Sequence, residues 1–313
     1  MEEKMTEMIK NDRVILLSAQ EDLRDGRYNQ VVNKAEHLLG KYPQSVELND
    51  LYANALYHLK RYADAGQVVA DFAGSFIAQP RYQGHAMEIL LANNLFMSAR
   101  EVLAQVSTSK KGEWKQRIVT AENDYRQQHS TELAAKSRKF AYLGALSVTE
   151  QVHEVQAALH LPLNEYLSAA KTLLNDPFGW QVSKTQVLLQ LMKAQVSENV
   201  DLIWLDGKTH TISLDELKPL EKIDAFVRVL QIVEQQFADK DPIKLDLLER
   251  ELFTQSNYIY PYFDDVMTEP NFWAQAIIAQ SFGEPLPAKT QQQQRMLSWI
   301  NQIHDQEIKI GLI

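Results

Sequence analysis

The chain has no cysteine, which excludes disulfides, thiol nucleophiles and cysteine-ligated zinc and fits a reducing cytoplasm. Glycine (11) and proline (10) are scarce among the 313 residues, while Leu, Ala, Gln and Glu are plentiful, a balance that favours helix. No run approaches the ~18 apolar residues that a membrane-spanning helix needs. The opening residues, Met1 to Glu7, are acidic and lack an apolar core, so no secretory signal is read. Cationic excess is missing too. With a net charge of -9 the surface meets phosphates at a Coulomb disadvantage, which makes nucleic acid a disfavoured partner. There is no His-Glu-x-x-His, no Gly-x-Ser-x-Gly and no glycine fingerprint for a dinucleotide. No metal, no cofactor and no enzymatic activity are therefore expected.

What is present is an ordinary folded composition, 45% hydrophobic and 23% charged, long enough for two compact units. It carries one internal echo. Gly26-Arg27-Tyr28, Val31, Ala35, Leu38 and Pro43 recur 34 residues later as Lys60-Arg61-Tyr62, Ala65, Val69, Phe72 and Ile77. A fainter third copy has Asn94, Phe96, Ala99 and Leu103. A fixed period of this length marks stacked helical hairpins, none of which buries its apolar face alone. Helical pairs are predicted from about 12 to 39, 46 to 73 and 81 to 105.

The echo resembles the tetratricopeptide repeat. Ala19 and Ala53 stand where that repeat has a small residue in its first helix. Gly26 and Tyr28 stand where it has glycine and an aromatic at the turn, Val31 and Ala65 one turn later, and Pro43 at its end. Lys60 replaces the glycine in the second copy; in the third, Met87 replaces the small residue and the closing proline is missing. The resemblance covers about a third of the chain and implies an α-α superhelix over residues 1–112.

Past it, Ser107 to Gly112 reads as a polar breaker able to hinge the stack, followed by a connecting helix over 113–140. This is the one basic segment: eight Lys/Arg lie between Lys110 and Lys139, against Glu113, Glu122, Asp124 and Glu132. A solvated helix carrying i,i+4 pairs competes here with a docking site for an acidic partner. Residues 141–313 read as a mostly helical domain. Ser147 and Glu150 have capping-box spacing, and helices are expected at 149–159, 163–174, 180–194, 217–237, 242–257, 271–281 and 288–303. Near 200–214 the period changes to two around Asp206-Gly207, which predicts one β-hairpin with positive φ at both central residues. Leu174-Asn175-Asp176-Pro177, Lys184-Thr185, the hairpin and Tyr260-Pro261 are together similar to a family of low-GC Gram-positive bacteria. Its members carry tetratricopeptide-type repeats ahead of their own C-terminal domain. That likeness implies an architecture and no activity.

Chemistry-bearing patterns each have a plainer reading. Gly207-Lys208-Thr209 lacks the glycine a phosphate loop needs at 202, where Leu202 stands. His153 and His160 share a helical face without a third ligand. Asp264-Asp265 reads as the start of a helix rather than a catalytic pair. Tyr258 to Phe263 reads as a buried corner. Three helices and a hairpin over 149–214 could form a nucleic-acid-binding regulator, the alternative function, but from Pro177 to Pro219 four Lys face five acids.

The favoured function is an adaptor that binds a segment of another protein. Its groove is implied by the repeat resemblance, whose groove-facing positions fall on Arg13, Leu16, Leu17, Gln20 and Arg24. In the second copy they fall on Glu47, Asp50, Leu51, Asn54 and His58, and in the third on Arg81, His85 and Glu88. Repeats that clamp a terminal carboxylate place Lys and Asn on the first of these helices; here Leu16 and Gln20 stand instead. Arg81, His85 and Asn54 remain able to hold a polar group, and the mix of leucine and charge suits an extended or helical partner segment. The competing reading is a solvated wall, or one packed on the chain's own later helices.

Overall fold

The structure is a computed structural model that describes residues 8–309; the acidic opening read above for a signal lies outside the described residues. Among the described residues seventeen α-helices and one two-stranded antiparallel hairpin occur, so the chain is mainly helical, the class that composition and period predicted. It divides into two compact units. The first runs to Ser137 and also takes Ala157–Tyr166; the second takes Arg138–Gln156 and the chain from Leu167 on.

In the first unit the helical pairs follow the echo. They are α1 (Lys10–Arg24) with α2 (Tyr28–Leu39), α3 (Val46–His58) with α4 (Tyr62–Asp71), and, after the short α5 (Ala73–Ala78), α6 (Pro80–Ala92) with α7 (Phe96–Gln105). The echo has a single structural cause. Gly26, Lys60 and Asn94 all adopt left-handed backbone, at φ +74°, +61° and +55°. The following amide reaches back five residues each time: Arg27 N to Asp22 O at 2.8 Å, Arg61 N to Leu56 O and Leu95 N to Leu90 O at 2.9 Å. This Schellman ending satisfies carbonyls that a helix end would leave unpaired and turns the chain back for the next helix. The small residues Ala19, Val31, Ala35, Ala53, Ala65 and Ala99 lie at or near zero exposure between the helices, where only short side chains permit a close approach. Met87, the departure from the repeat pattern, is fully buried as well.

Two buried acids of α1 pin that helix to α2 and to the turns that flank it. Asp12 accepts from Lys41 Nζ at 2.9 Å and Tyr42 OH at 3.0 Å. Asp22 accepts from Lys34 Nζ and from Arg27 Nε at 2.7 Å. The hydrogen bond from Lys34, then that from Arg27, holds the Asp22 carboxyl below its ordinary range, as expected when the charged form alone gains the contacts.

The sequence reading is corrected at three places here. α5 occupies the stretch between the second and third predicted pairs, where no helix is expected; its Phe76 is 1% exposed and packs edge-on to Tyr82 at 5.9 Å between centroids. The expected breaker at 107–112 is instead the first turn and a half of α8 (Thr108–Gln128), with Ser107 O accepting from Lys110 N and Lys111 N at 3.0 Å. The single connecting helix is two, because α8 ends at Gln128 with His129 as its cap and α9 (Ser130–Ala141) follows. Trp114 and Ile118 of α8 sit in the same apolar core as the repeats, so burial selects helix where local composition suggested a break. The basic segment is largely engaged: Lys136 pairs with Glu132 at 2.8 Å, and Arg126 with Glu165 at 2.8 Å.

The second unit holds α10 (Val148–Ala157), the continuation of α11 (Leu163–Leu174) and α12 (Gln181–Lys193). These are followed by β1 (Asn199–Ile203), β2 (Thr209–Ser213), α13 (Asp224–Phe237), α14 (Pro242–Ile259), α15 (Phe263–Val266), α16 (Pro270–Ser281) and α17 (Gln291–Lys309). The capping box forms: Ser147 N donates to Glu150 Oε2 at 3.0 Å and Glu150 N to Ser147 Oγ at 3.4 Å. The hairpin pairs Val200 with Ile212 and Ile203 with Thr209. Its turn closes through Gly207 N to Trp204 O at 2.9 Å with Gly207 at φ +74°. One residue, not two, carries positive φ, so this is a longer loop than the expected two-residue turn. The helix expected from 217 starts only at Asp224, because Pro219 biases Lys218 to extended backbone and only a 3-10 turn, Leu220–Lys222, forms in the gap.

The aromatic run near 260 is a buried corner, as read. Tyr258, Ile259 and Tyr260 have no exposure, the Tyr260–Pro261 peptide is cis, and Trp204 Nε1 donates to Tyr260 O at 3.1 Å. Lys184 is 2% exposed and donates to Ile203 O at 2.8 Å, tying α12 to the hairpin. Burial pushes its ammonium down to about 8.

Candidate functional site

The first helices of the repeats, α1, α3 and α6, lie next to one another in that order, so residues recurring every third and fourth position along each form one shared wall. Hydrogen bonds cross this wall from helix to helix. Gln20 Nε2 donates to Glu47 Oε1 at 2.9 Å, joining α1 to α3. His85 Nδ1 lies 3.0 Å from Asp50 Oδ1, and Asn54 Nδ2 lies 3.3 Å from His85 Nε2, joining α3 to α6. Glu88 accepts from Arg117 Nη1 at 3.3 Å, carrying the line on to α8.

His85 is the centre of this line. A neutral ring donates from Nδ1 to Asp50 and accepts at Nε2 from the Asn54 amide. The Asp50 contact favours the imidazolium, outweighs burial and raises the ring above its ordinary pKa. Asn54 itself is 8% exposed, its side-chain amide set against the His85 ring.

Most of the residues named from sequence thus fall into three sets, with His58 and Arg81 apart from them. Gln20 with Glu47, Asp50 with Asn54 and His85, and Glu88 are brought into the cross-linked line. Arg13, Leu17 and Arg24 stand exposed on α1, Leu17 at 54%. Leu16 and Leu51 belong to the core at 7% and 5%. At the end of α3, His58 stacks on Tyr28 with centroids 4.5 Å apart, away from the Asp50–His85 pair along the helix. Arg81 covers the ring of its neighbour Tyr82 at 4.4 Å and reaches Gln79 Oε1 at 3.4 Å.

Arg117 and Trp114 of α8 were missed. Arg117 Cζ lies 4.2 Å over the Trp114 ring, and that ring packs towards Gly84, where an added Cβ would meet it at 3.9 Å. The signal was available: Trp114, Ile118 and Tyr125 are apolar at helical spacing inside the basic segment, and all three are buried.

The other sequence candidates can be placed as well. Asp206 Oδ1 accepts from Lys208 N at 2.9 Å and its carboxylate contacts His210 at 3.0 Å, so an acid occupies the hairpin tip where a phosphate loop would need free amides. Asp264 and Asp265 are exposed in the first turn of α15. His160 Nδ1 is engaged with Asn93 O at 3.1 Å, and His153 is exposed. Among the described residues no cluster of three metal-type ligands occurs, and no helix is long and apolar enough to cross a membrane. The segment 149–214 is divided, with Ala157–Tyr166 grouped in the first unit and the remainder in the second.

No protein-family model matches the chain, and no solved structure matches it. Among curated proteins it is similar to the TPR repeat-containing protein YsoA of Bacillus subtilis (strain 168), with 24% identity over 131 residues. That match covers 42% of this chain and 39% of the relative's length. The likeness to tetratricopeptide repeats thus rests on a distant relative as well as on the echo.

Proposed function

We propose that the chain is a cytoplasmic, non-catalytic adaptor that holds a segment of another protein against the wall formed by α1, α3 and α6. Repeat proteins of this class use that surface for protein partners, and the relative's printed name, a TPR repeat-containing protein, supports the reading. The observation that carries the reading is the Asp50–His85–Asn54 arrangement. It fixes a side-chain amide and an imidazole on adjacent helices, with Leu17 exposed on neighbouring α1, so polar contacts for a bound chain are positioned before it arrives.

Affinity capture from the native cell, quantified by mass spectrometry, tests this. Proteins retained by the wild-type chain are expected to be lost with Asn54→Ala plus Arg81→Glu and kept with Gln67→Ala on exposed α4. An identical captured set for all three chains would refute the wall as the binding surface.

A further inference from the structure

The charges of this wall are unevenly satisfied. Its acids are engaged: Glu47 by Gln20, Asp50 by His85 and Glu88 by Arg117. Its cations on α1 are not. Arg13 and Arg24 have no side-chain partner among the described residues, and Arg81 meets an amide and a ring but no carboxylate. Asp12 and Asp22 of α1 are buried against α2, and Asp25 is taken by Arg27 at 2.6 Å. Glu21 is then the one exposed acid of α1 lacking a partner among the described residues.

Arg13, Leu17 and Arg24 are also aligned. Steps of four and seven residues put all three on one stripe of α1. At ~1.5 Å of rise per residue the two guanidinium-bearing positions lie roughly 16 Å apart, the span of about five residues of extended chain. Leu17, 54% exposed, sits between them. An unpaired arginine carries a planar fork of donors that fits a carboxylate. Although the whole chain carries -9, this stripe sets Arg13 and Arg24 against one exposed acid, Glu21, three residues before Arg24, and stays locally cationic.

We infer that the partner segment is acidic: an extended stretch with carboxylates towards Arg13 and Arg24 and an apolar side chain on Leu17. This rests on the proposed use of the wall and adds the chemistry of what it takes. The charges lie at the two ends of α1, so the recognised carboxylates belong to side chains and not to a chain terminus.

The test uses the full-length protein and fluorescent dodecapeptides, acetylated and amidated, with Leu at the centre and Glu, Gln or Lys at the flanking positions. By anisotropy at low salt the Glu peptide is expected to bind about tenfold or more tightly than the Gln peptide, the Lys peptide weakest, with the preference shrinking in salt. Arg13→Glu with Arg24→Glu should abolish the preference. The milder Arg13→Gln with Arg24→Gln should reduce it, with a thermal melt confirming that both variants fold. Replacing the C-terminal amide by a free acid should change affinity less than about twofold. The inference is overturned if the Glu peptide does not bind, if Glu and Gln peptides bind equally, or if the preference survives the charge reversal. In the second case, loss of all binding in Asn54→Ala would leave the wall standing as a protein-binding surface. If no peptide binds and Asn54→Ala changes nothing in the capture experiment, both readings fall.

Discussion

His85 of α6 and Asp50 of α3 meet at 3.0 Å, Nδ1 to Oδ1, across 35 residues of sequence. This pair makes the wall pH-sensitive. The carboxylate raises the imidazole above its ordinary value near 6.5, so the folded state binds the proton more tightly than the unfolded chain. The resulting stabilisation is complete below the unfolded pKa and is lost as pH rises through the folded one. The His85 side chain is 44% exposed, so the effect should be that of an exposed ion pair, about 0.5 kcal/mol. An NMR titration of His85 should show the raised midpoint, and Asp50→Asn should lower it. The stability gap between wild type and that variant should be larger at about pH 6 than at about pH 9.

Lys60 is the one turn residue of the three pairs that sequence reading placed against the pattern, since the repeat has glycine there. It is held at φ +61°, where a Cβ crowds the following carbonyl. Lys60→Gly should therefore stabilise the protein by about 1 kcal/mol, reduced somewhat by the greater freedom of glycine in the unfolded chain. A rise in the urea midpoint with unchanged slope would confirm it; a fall would show that the lysine side chain supplies more than its backbone costs.

The turns show why the repeats were legible and the wall was not. Gly26 and Asn94 are residue types that favour left-handed backbone, and the apolar positions around them follow the helical period, so the hairpins could be read locally. The contacts of Gln20 with Glu47, Asp50 with His85 and Glu88 with Arg117 join residues 27 to 35 positions apart. No local pattern encodes such pairs, because each residue alone is an ordinary polar group on a helix. The same limit hid where α8 starts and what it packs against. Its charged residues dominate the local composition, whereas Trp114 and Ile118, which fix its place, act only once the repeats supply a core to join.

Glu307, near the end of α17, is 4% exposed, and burial, with a smaller contribution from the neighbouring Glu251, pushes its carboxyl up to about 7. Raised from 4.5, it is protonated in the folded protein over a range where the unfolded chain has ionised. Stability attributable to it is full below about 4.5 and declines until pH passes about 7. Glu307→Gln cannot ionise and should escape that decline. Urea unfolding should find the variant close to wild type at about pH 5 and more stable by on the order of 2 kcal/mol at about pH 8. A gain of the same size at both values would assign the effect to packing instead.

Gly112 decides between a hinge and a continuous helix at the start of α8. It lies inside Thr108–Gln128, is exposed, and an added Cβ there would meet nothing within 4 Å. In a helix interior with open space around it, glycine costs about 1 kcal/mol relative to alanine through backbone entropy. Gly112→Ala should therefore raise stability by an amount approaching that figure, and hydrogen exchange at residues 112–116 should slow. If the segment were the polar hinge its composition suggests, the substitution would leave exchange unchanged, because no helical hydrogen bond would be strengthened. The contrast with Gly66 makes the control: an added Cβ there would lie 2.9 Å from Asn93 Nδ2, whose amide is already bonded to Tyr62 O at 2.8 Å and Ile89 O at 2.9 Å. Gly66→Ala must displace that side chain and should destabilise the α4–α6 contact, although alanine is the better helix former at both sites.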